Sequence, residues 1–198
     1  MGAISFAPGT GTILEFDSSG TVTRTFSIPG LPAVGQVALG LGEDESRSPG
    51  GDEGSRESLI AIACTGFSQT TAGAVVRVEL QSGAMSVIAS ESTFPNGLAL
   101  DSEGNIFITN IFAGTVARVT TAGKVSVFAD GPLLAAKPTA IGFTIGPNDI
   151  TFDRAGTALY VTNVGQNTVG KIEVRGDGAA GSITNFAVGI SHPGWLDI

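Results

Sequence analysis

Apolar and polar residues alternate with a period of two along most of the chain, which predicts β-strands rather than helices. The alternation occurs in short runs separated by turns rich in Gly, Asp and Ser, as in Thr115–Val119 followed by Lys124–Ala129. No stretch shows a helical period long enough to assign. The pattern therefore predicts an all-β fold of short antiparallel strands.

One phrase of this pattern occurs twice. Residues 94–110 hold a strand, a turn containing Asp and Gly, and a second strand, and residues 146–163 repeat the phrase, so that Asn96 and Asn148 are 52 positions apart. A third and a fourth strand follow each copy. Four antiparallel strands in a unit of this size are typical of a β-propeller blade. We therefore expect a β-propeller.

The repeat divides the chain into blades. They are a partial blade at residues 12–28, full blades at roughly 33–90, 94–130 and 146–189, and the first strand of a further blade at 193–198. About three full blades with partial blades at both ends are compatible with a four-bladed ring or with a segment of a larger ring of about six blades. A segment would have open strand edges, which favour self-association.

Charge and hydropathy exclude some partners. Residues 43–57 carry six carboxylates against two arginines and no apolar side chain, which indicates a flexible, solvated acidic insertion. The whole chain has a net charge of −8, so we expect no nucleic-acid partner. The apolar run Leu59–Cys64 is too short to cross a membrane, and the N-terminus lacks the pattern of a signal peptide. We therefore expect a soluble chain without a membrane partner.

Asparagines recur at one end of the repeat. Asn96 and Asn148 begin the first strands, nearest the channel of a propeller, and Asn110 and Asn163 follow the second strands. Because neighbouring strands run in opposite directions, these four amides and the adjacent Asp149 are expected at one mouth. Amide and carboxylate oxygens suit a hard cation such as Ca²⁺, or a small ligand. The alternative is that the Pro-Asn and Thr-Asn pairs are turn formers that bond their own backbone.

Other reactive side chains are few. Cys64 is the single cysteine, so no intrachain disulfide can form, and its apolar surroundings indicate a buried strand residue. His192 is the single histidine and falls in a loop before proline, which argues against a histidine-based metal site or a catalytic triad with a supporting histidine.

Two aromatic residues and a recurring cation fall on predicted strands. The single Trp195 and the single Tyr160 are expected to pack in the core. One position of the third strand carries a cation in each blade, and we expect these side chains to face solvent or to pair with carboxylates: Arg77, Arg118 and Lys171.

The phrase Pro-Asn-Gly-Leu-Ala-Leu-Asp that begins at Pro95 resembles blades of the senescence-marker-protein, gluconolactonase and regucalcin-like superfamily. NHL-like and strictosidine-synthase-like propellers are its relatives. The resemblance covers most of residues 94–198 and implies a six-bladed propeller with a divalent cation, most simply Ca²⁺, at the channel mouth. In that family a Glu, an Asn and an Asp hold the metal, and Asn96 or Asn148 matches the Asn.

The activity implied by this resemblance is metal-assisted hydrolysis of a small lactone or ester. Asn110 and Asn163 would then contact the substrate, and Asp149 is the candidate catalytic residue. The family's Glu has no counterpart in this chain, and the position of its Asp is occupied by Asn148 in one repeat and Gly194 in the next. The rival function is a non-catalytic NHL-like propeller that binds a ligand or a protein, or serves as a scaffold.

Overall fold

The computed structural model of this chain describes residues 10–40, 58–66, 71–91, 94–140 and 142–196. Within these ranges the regular secondary structure is entirely β-strand, which confirms the all-β prediction. None of the described segments forms a helix that could cross a lipid bilayer. The predicted acidic insertion, residues 43–57, lies outside the described residues.

The described chain begins with a two-stranded hairpin, followed by a four-stranded antiparallel sheet that we call blade 1. The hairpin pairs β1 (Thr10–Phe16) with β2 (Val22–Pro29). Blade 1 contains, in spatial order, β3 (Ala33–Gly40), β4 (Ser58–Cys64), β5 (Gly73–Glu79) and β6 (Met85–Glu91).

Two further sheets of the same kind follow. Blade 2 contains β7 (Pro95–Leu100), β8 (Ile106–Asn110), β9 (Thr115–Val119) and β10 (Val125–Ala129). A short hairpin of β11 (Lys137–Pro138) and β12 (Thr144–Ile145) comes next. Blade 3 contains β13 (Pro147–Phe152), β14 (Ala158–Asn163), β15 (Thr168–Val174) and β16 (Ala180–Val188). Strands in chain order within four-stranded antiparallel sheets are the arrangement of propeller blades, as predicted.

The blades pack face to face through the apolar side chains that the alternation places on one side of each strand. Ile13 and Phe26 of the hairpin pack on blade 1, whose opposite face, including Ile62, packs on Ile108 of blade 2. Phe107 is the largest fully buried side chain of the cluster between blades 2 and 3. The core is thus a series of layers between neighbouring blades.

The residues predicted to open a further blade, 193–198, are described as far as Leu196 and form no strand there. They are nevertheless bonded to blade 3. The carbonyl of Gly194 accepts hydrogen bonds from Asn148 and Thr162, and the N–H of Leu196 donates to Asp149. This segment therefore follows blade 3 along its first strand.

An aspartate holds the turn between the first and second strands in both copies of the repeated phrase. Asp101 accepts a hydrogen bond from the N–H of Asn105, and Asp153 accepts hydrogen bonds from the N–H groups of Thr157 and Ala158. Burial alone would raise the pKa of Asp153, but the hydrogen bonds from Thr157 and Ala158 outweigh it and hold that pKa below its usual value.

Asp153→Asn is expected to lower the melting temperature at neutral pH and to have a smaller effect in acid. Because the folded state has the lower pKa, the carboxylate stabilises the fold above the usual aspartate pKa of about 4, and this contribution is lost as the pH falls through the lowered folded value. Melting both proteins from about pH 7 to about pH 3 should show the difference closing. Asp130→Asn, in an exposed position, controls for loss of charge. A constant difference across this range would contradict the assignment.

Candidate functional site

The first strand of each blade, β3, β7 or β13, forms one edge of its sheet, and residues at the same register position of these three strands lie near one another. Ala33, Pro95 and Pro147 each pair with the last residue of the neighbouring second strand, so β3, β7 and β13 share one register. The positions that follow them line a pocket of about 160 Å³, which we call the mouth. Its lining includes Gln36, Asn96, Asn148, Asp149, Gly194 and Trp195.

Asn96 and Asn148 link successive blades. The Asn96 Nδ2 donates to the backbone carbonyl of Asn148 at 3.0 Å and to its Oδ1 at 2.6 Å. The Asn148 Nδ2 donates in turn to the carbonyl of Gly194 at 3.0 Å. The hydroxyls of Thr109 and Thr162 donate to the same two carbonyls, at 2.7 and 3.3 Å. Blade 2 is therefore bonded to β13, and blade 3 to the segment that holds Gly194, rather than each asparagine to its own turn.

Asp149 is the buried carboxylate of the mouth, with 2% of its surface exposed. Its Oδ1 accepts hydrogen bonds from Gln36 Nε2 at 2.5 Å and from the N–H of Ile150 at 2.9 Å. Its Oδ2 accepts a hydrogen bond from the N–H of Leu196 at 2.7 Å. Both carboxylate oxygens thus accept hydrogen bonds from N–H donors, as buried polar groups require.

Gln36 is the residue of the mouth that sequence reasoning missed. Besides donating to Asp149, it accepts a hydrogen bond through Oε1 from the N–H of Leu98. One side chain of blade 1 is therefore bonded to both blade 2 and blade 3. The available signal was a polar side chain in the otherwise apolar start of β3, at the register position occupied by Leu98 in blade 2 and Ile150 in blade 3.

Asn110 and Asn163 lie at the same end of their blades but do not line the mouth. They are 5% and 1% exposed. The Asn110 Nδ2 donates to the hydroxyl of Thr115 at 3.3 Å. The Asn163 Oδ1 accepts a hydrogen bond from the N–H of Gln166 at 3.1 Å, and its Nδ2 donates to the carbonyl of Leu133 at 3.2 Å. These contacts fix the connection after each second strand. This role is similar to the turn-forming role that the sequence pattern indicated as the alternative to ligand binding.

Cys64 occupies the position of Asn110 and Asn163 in blade 1, since it pairs with Ala33. It is 2% exposed, and its Sγ lies 3.7 Å from the carbonyl of Pro95. Burial raises the pKa of its thiol to about 12, so it is neutral at physiological pH. It is a buried packing residue, as predicted.

Trp195 corrects an expectation. Core packing was predicted for it, yet its surface is 76% exposed and it borders the mouth. The physical reason is register. The bonds to the carbonyls of Asn148 and Gly194 make these two residues equivalent, so Trp195 occupies the position of Asp149, which faces the mouth and not a blade interface.

The contacts in the mouth decide whether it suits a metal ion. Ca²⁺ takes about six to eight oxygen ligands. Here Asn148 Oδ1 accepts a hydrogen bond from Asn96, and both oxygens of Asp149 accept N–H bonds. Across the residues that the structure describes, no group of three His, Cys, Asp or Glu side chains is placed to hold a metal. The residues present, as arranged, do not fit the calcium ion that the resemblance implies.

Comparison with known proteins supports the fold. The family model SBBP, a beta-propeller repeat, matches residues 83–109, which span the end of blade 1 and the first two strands of blade 2. No curated protein matches the chain.

Three solved structures illustrate the fold similarity. A catalytically inactive virginiamycin B lyase from Staphylococcus aureus with quinupristin has a TM-score of 0.60 at 14% identity, covering 96% of this chain and 56% of that one. An auxiliary nutrient binding protein from Bacteroides thetaiotaomicron has a TM-score of 0.61 at 13% identity, covering 98% and 43%. Regucalcin, a calcium-binding protein from Agrobacterium tumefaciens, has a TM-score of 0.55 at 14% identity, covering 92% and 59%.

Sequence identities this low mean that the similarity concerns the fold alone. The structural similarity confirms the predicted resemblance to regucalcin-type propellers at the level of architecture. The chain spans about half the length of the structures it matches, with 56%, 43% and 59% of those chains covered.

Proposed function

We propose that this chain is a non-catalytic propeller that binds a small polar ligand at the mouth. The observation that carries the proposal is which polar atoms of the mouth already have hydrogen-bond partners and which do not. The carboxylate of Asp149 is engaged on both oxygens, whereas Asn96 Oδ1 accepts no hydrogen bond from a described residue. The exposed ring of Trp195 borders the same pocket. A free acceptor and an exposed aromatic ring that line the same pocket are suited to holding a ligand in one orientation.

The size of the mouth limits the ligand. A volume of about 160 Å³ is smaller than the roughly 300 Å³ at which pockets for drug-sized molecules begin. The mouth therefore suits a small metabolite or one group of a larger ligand.

Hydrolysis of a lactone or ester is the activity that the resemblance implies, and it needs a group that can take a proton from water. Asp149 is the candidate, but Gln36, Ile150 and Leu196 donate to its two oxygens. Calcium binding by Asn96 and Asn148 would likewise require Asn148 Oδ1 to give up its bond to Asn96. Binding of a small ligand requires neither the bonds to Asp149 nor the bond between Asn96 and Asn148 to break, and we therefore favour ligand binding over hydrolysis.

The position of Trp195 provides a direct assay. It is the single tryptophan of the chain, so intrinsic fluorescence reports on the rim of the mouth. A panel of small polar metabolites that includes gluconolactone and gluconate should contain a compound that changes both the fluorescence and the melting temperature. Asn96→Ala should weaken its binding about tenfold, because it removes the free acceptor. Asn185→Ala, at an exposed position of β16, controls for the substitution itself, and the melting temperature of each variant without ligand shows how much of the change comes from the lost bonds of Asn96 to Asn148.

Two outcomes would count against this function. A panel that leaves both signals unchanged would favour a scaffold without a small-molecule site. Gluconolactone turnover that Asp149→Asn abolishes would show that the mouth is a hydrolase site.

A further inference from the structure

Blade 2 presents an aromatic and cationic group to blade 3. Phe107 of β8 lies edge to face with Phe128 of β10, at 4.9 Å between ring centroids, and the guanidinium of Arg118 lies 5.8 Å from the Phe107 centroid. Blade 3 covers this group. Phe152 lies edge to face with Phe107 at 5.1 Å, and Arg118 Nη1 donates to the carbonyl of Gly178 at 3.3 Å, in the turn between β15 and β16.

Blade 3 repeats the same group on its far face. Tyr160 and Phe186 lie edge to face at 4.8 Å, and the ammonium of Lys171 lies 5.9 Å from the Tyr160 centroid. The register makes the groups equivalent, since Tyr160 pairs with Lys171 as Phe107 pairs with Arg118. No described blade covers this copy, and Phe186 is 63% exposed. We call Tyr160, Lys171 and Phe186 the open face.

The turn of the β1–β2 hairpin has the geometry that the open face requires. Gly20 has a φ of +84°, and its N–H bonds to the carbonyl three residues earlier, as does that of Gly178, whose φ is +73°. Gly178 is the residue whose carbonyl accepts the bond from Arg118. The carbonyl of Gly20 therefore offers the same kind of acceptor to Lys171, and the same turn carries the carboxylate of Asp17.

The hairpin also carries exposed apolar side chains next to its turn. Ile13 and Phe26 pack on blade 1, whereas Phe16 and Val22 pair with each other at the end of the hairpin, past the register shift that follows Glu15. Phe16 is 41% exposed and Val22 is 45% exposed. Exposed apolar side chains beside an acidic turn are complementary to an aromatic face with a lysine.

We propose that the open face of blade 3 binds the β1–β2 hairpin of a second copy of this chain. The contact continues the series already present, in which the hairpin packs on blade 1, blade 1 on blade 2 and blade 2 on blade 3. The two surfaces differ, so the copies associate head to tail, and the same contact made twice closes a dimer.

Sedimentation velocity over a range of concentrations tests this. The wild type should form a reversible dimer, and Phe186→Ser should weaken it about 30-fold, because aromatic residues at the centre of an interface carry much of the affinity. Phe16→Ser, on the hairpin, should weaken it to a similar extent. Val127→Ser is the matched control, since Val127 of β10 is 64% exposed and lies outside both surfaces, and it should leave the dimer unchanged. Circular dichroism establishes that each variant is folded.

Changing the charge at Lys171 distinguishes this contact from nonspecific association. Lys171→Glu should weaken the dimer, whereas Lys171→Arg, which keeps the positive charge, should leave most of the affinity. A dimer that survives both Phe186→Ser and Phe16→Ser overturns the proposal. A monomer at every concentration also overturns it, whether the chain closes its own hairpin onto blade 3 or leaves both surfaces open.

Discussion

Replacing Phe107 by alanine is expected to lower the free energy of unfolding by about 4 kcal/mol. Phe107 is 2% exposed and lies in the layer that joins blades 2 and 3, where Phe128, Phe152 and Arg118 surround its ring. Alanine would leave a cavity between two hydrogen-bonded sheets, which can relax only partly around it. For a chain of this length the loss corresponds to roughly 10 °C in melting temperature.

Tyr160→Ala is the matched control for this prediction. Tyr160 occupies the same register position in blade 3, where no described blade covers its ring. In monomeric protein, at concentrations below any self-association, its loss should cost less than half as much as that of Phe107. Equal losses in the two variants would mean that packing between blades is not what stabilises this layer.

Gly97→Ala is expected to have the second large effect, lowering the free energy of unfolding by about 3 kcal/mol. A Cβ at Gly97 would lie 2.6 Å from the carbonyl oxygen of Asn148, 2.8 Å from the Cα of Asp149 and 2.9 Å from Thr109 Oγ1. Two of these neighbours are backbone, so blades 2 and 3 would have to move apart at the mouth. The hydrogen bonds from Asn96 and Thr109 to the Asn148 carbonyl would lengthen with them.

Gly35→Ala provides the control, because Gly35 has the same register position in blade 1. A Cβ there would have its nearest neighbour, the carbonyl oxygen of Asn96, at 3.6 Å, which is an ordinary contact. Chemical denaturation should show a loss of less than about 1 kcal/mol for this variant. Similar midpoints for the two alanine variants would show that the close approach of blades 2 and 3 is not as described.

The blades were predictable because their signals are local. Period-two alternation and Asp-Gly turns define each hairpin, and the second copy of the phrase at Gly146 shows that the unit repeats. The hairpin of β11 and β12 was not predicted, since strands of two residues, Lys137–Pro138 and Thr144–Ile145, are too short to alternate.

The mouth was less predictable because its contacts lie between blades. The position of Asn96 and Asn148 follows from the repeat, but the direction of their amides depends on the carbonyls of Asn148 and Gly194, which lie 52 and 46 positions further along the chain. Gln36 and Asp149 are 113 positions apart in the chain, and no local pattern joins them. Asn110 and Asn163 make local contacts, since Asn110 bonds to Thr115 at the start of β9 and Asn163 bonds to Gln166 in the loop that follows it.

Thermal unfolding of the wild type and of Asn148→Ala, each with Ca²⁺ and with EDTA, tests most directly whether hydrogen bonds between blades or a metal ion hold the mouth together. If hydrogen bonds hold the mouth together, Ca²⁺ should leave both melting temperatures unchanged. Asn148→Ala should also melt about 5 °C lower in either buffer, because Asn96 and Gly194 lose their partner. A melting temperature that Ca²⁺ raises in the wild type and not in Asn148→Ala would contradict this and show a metal site at the mouth.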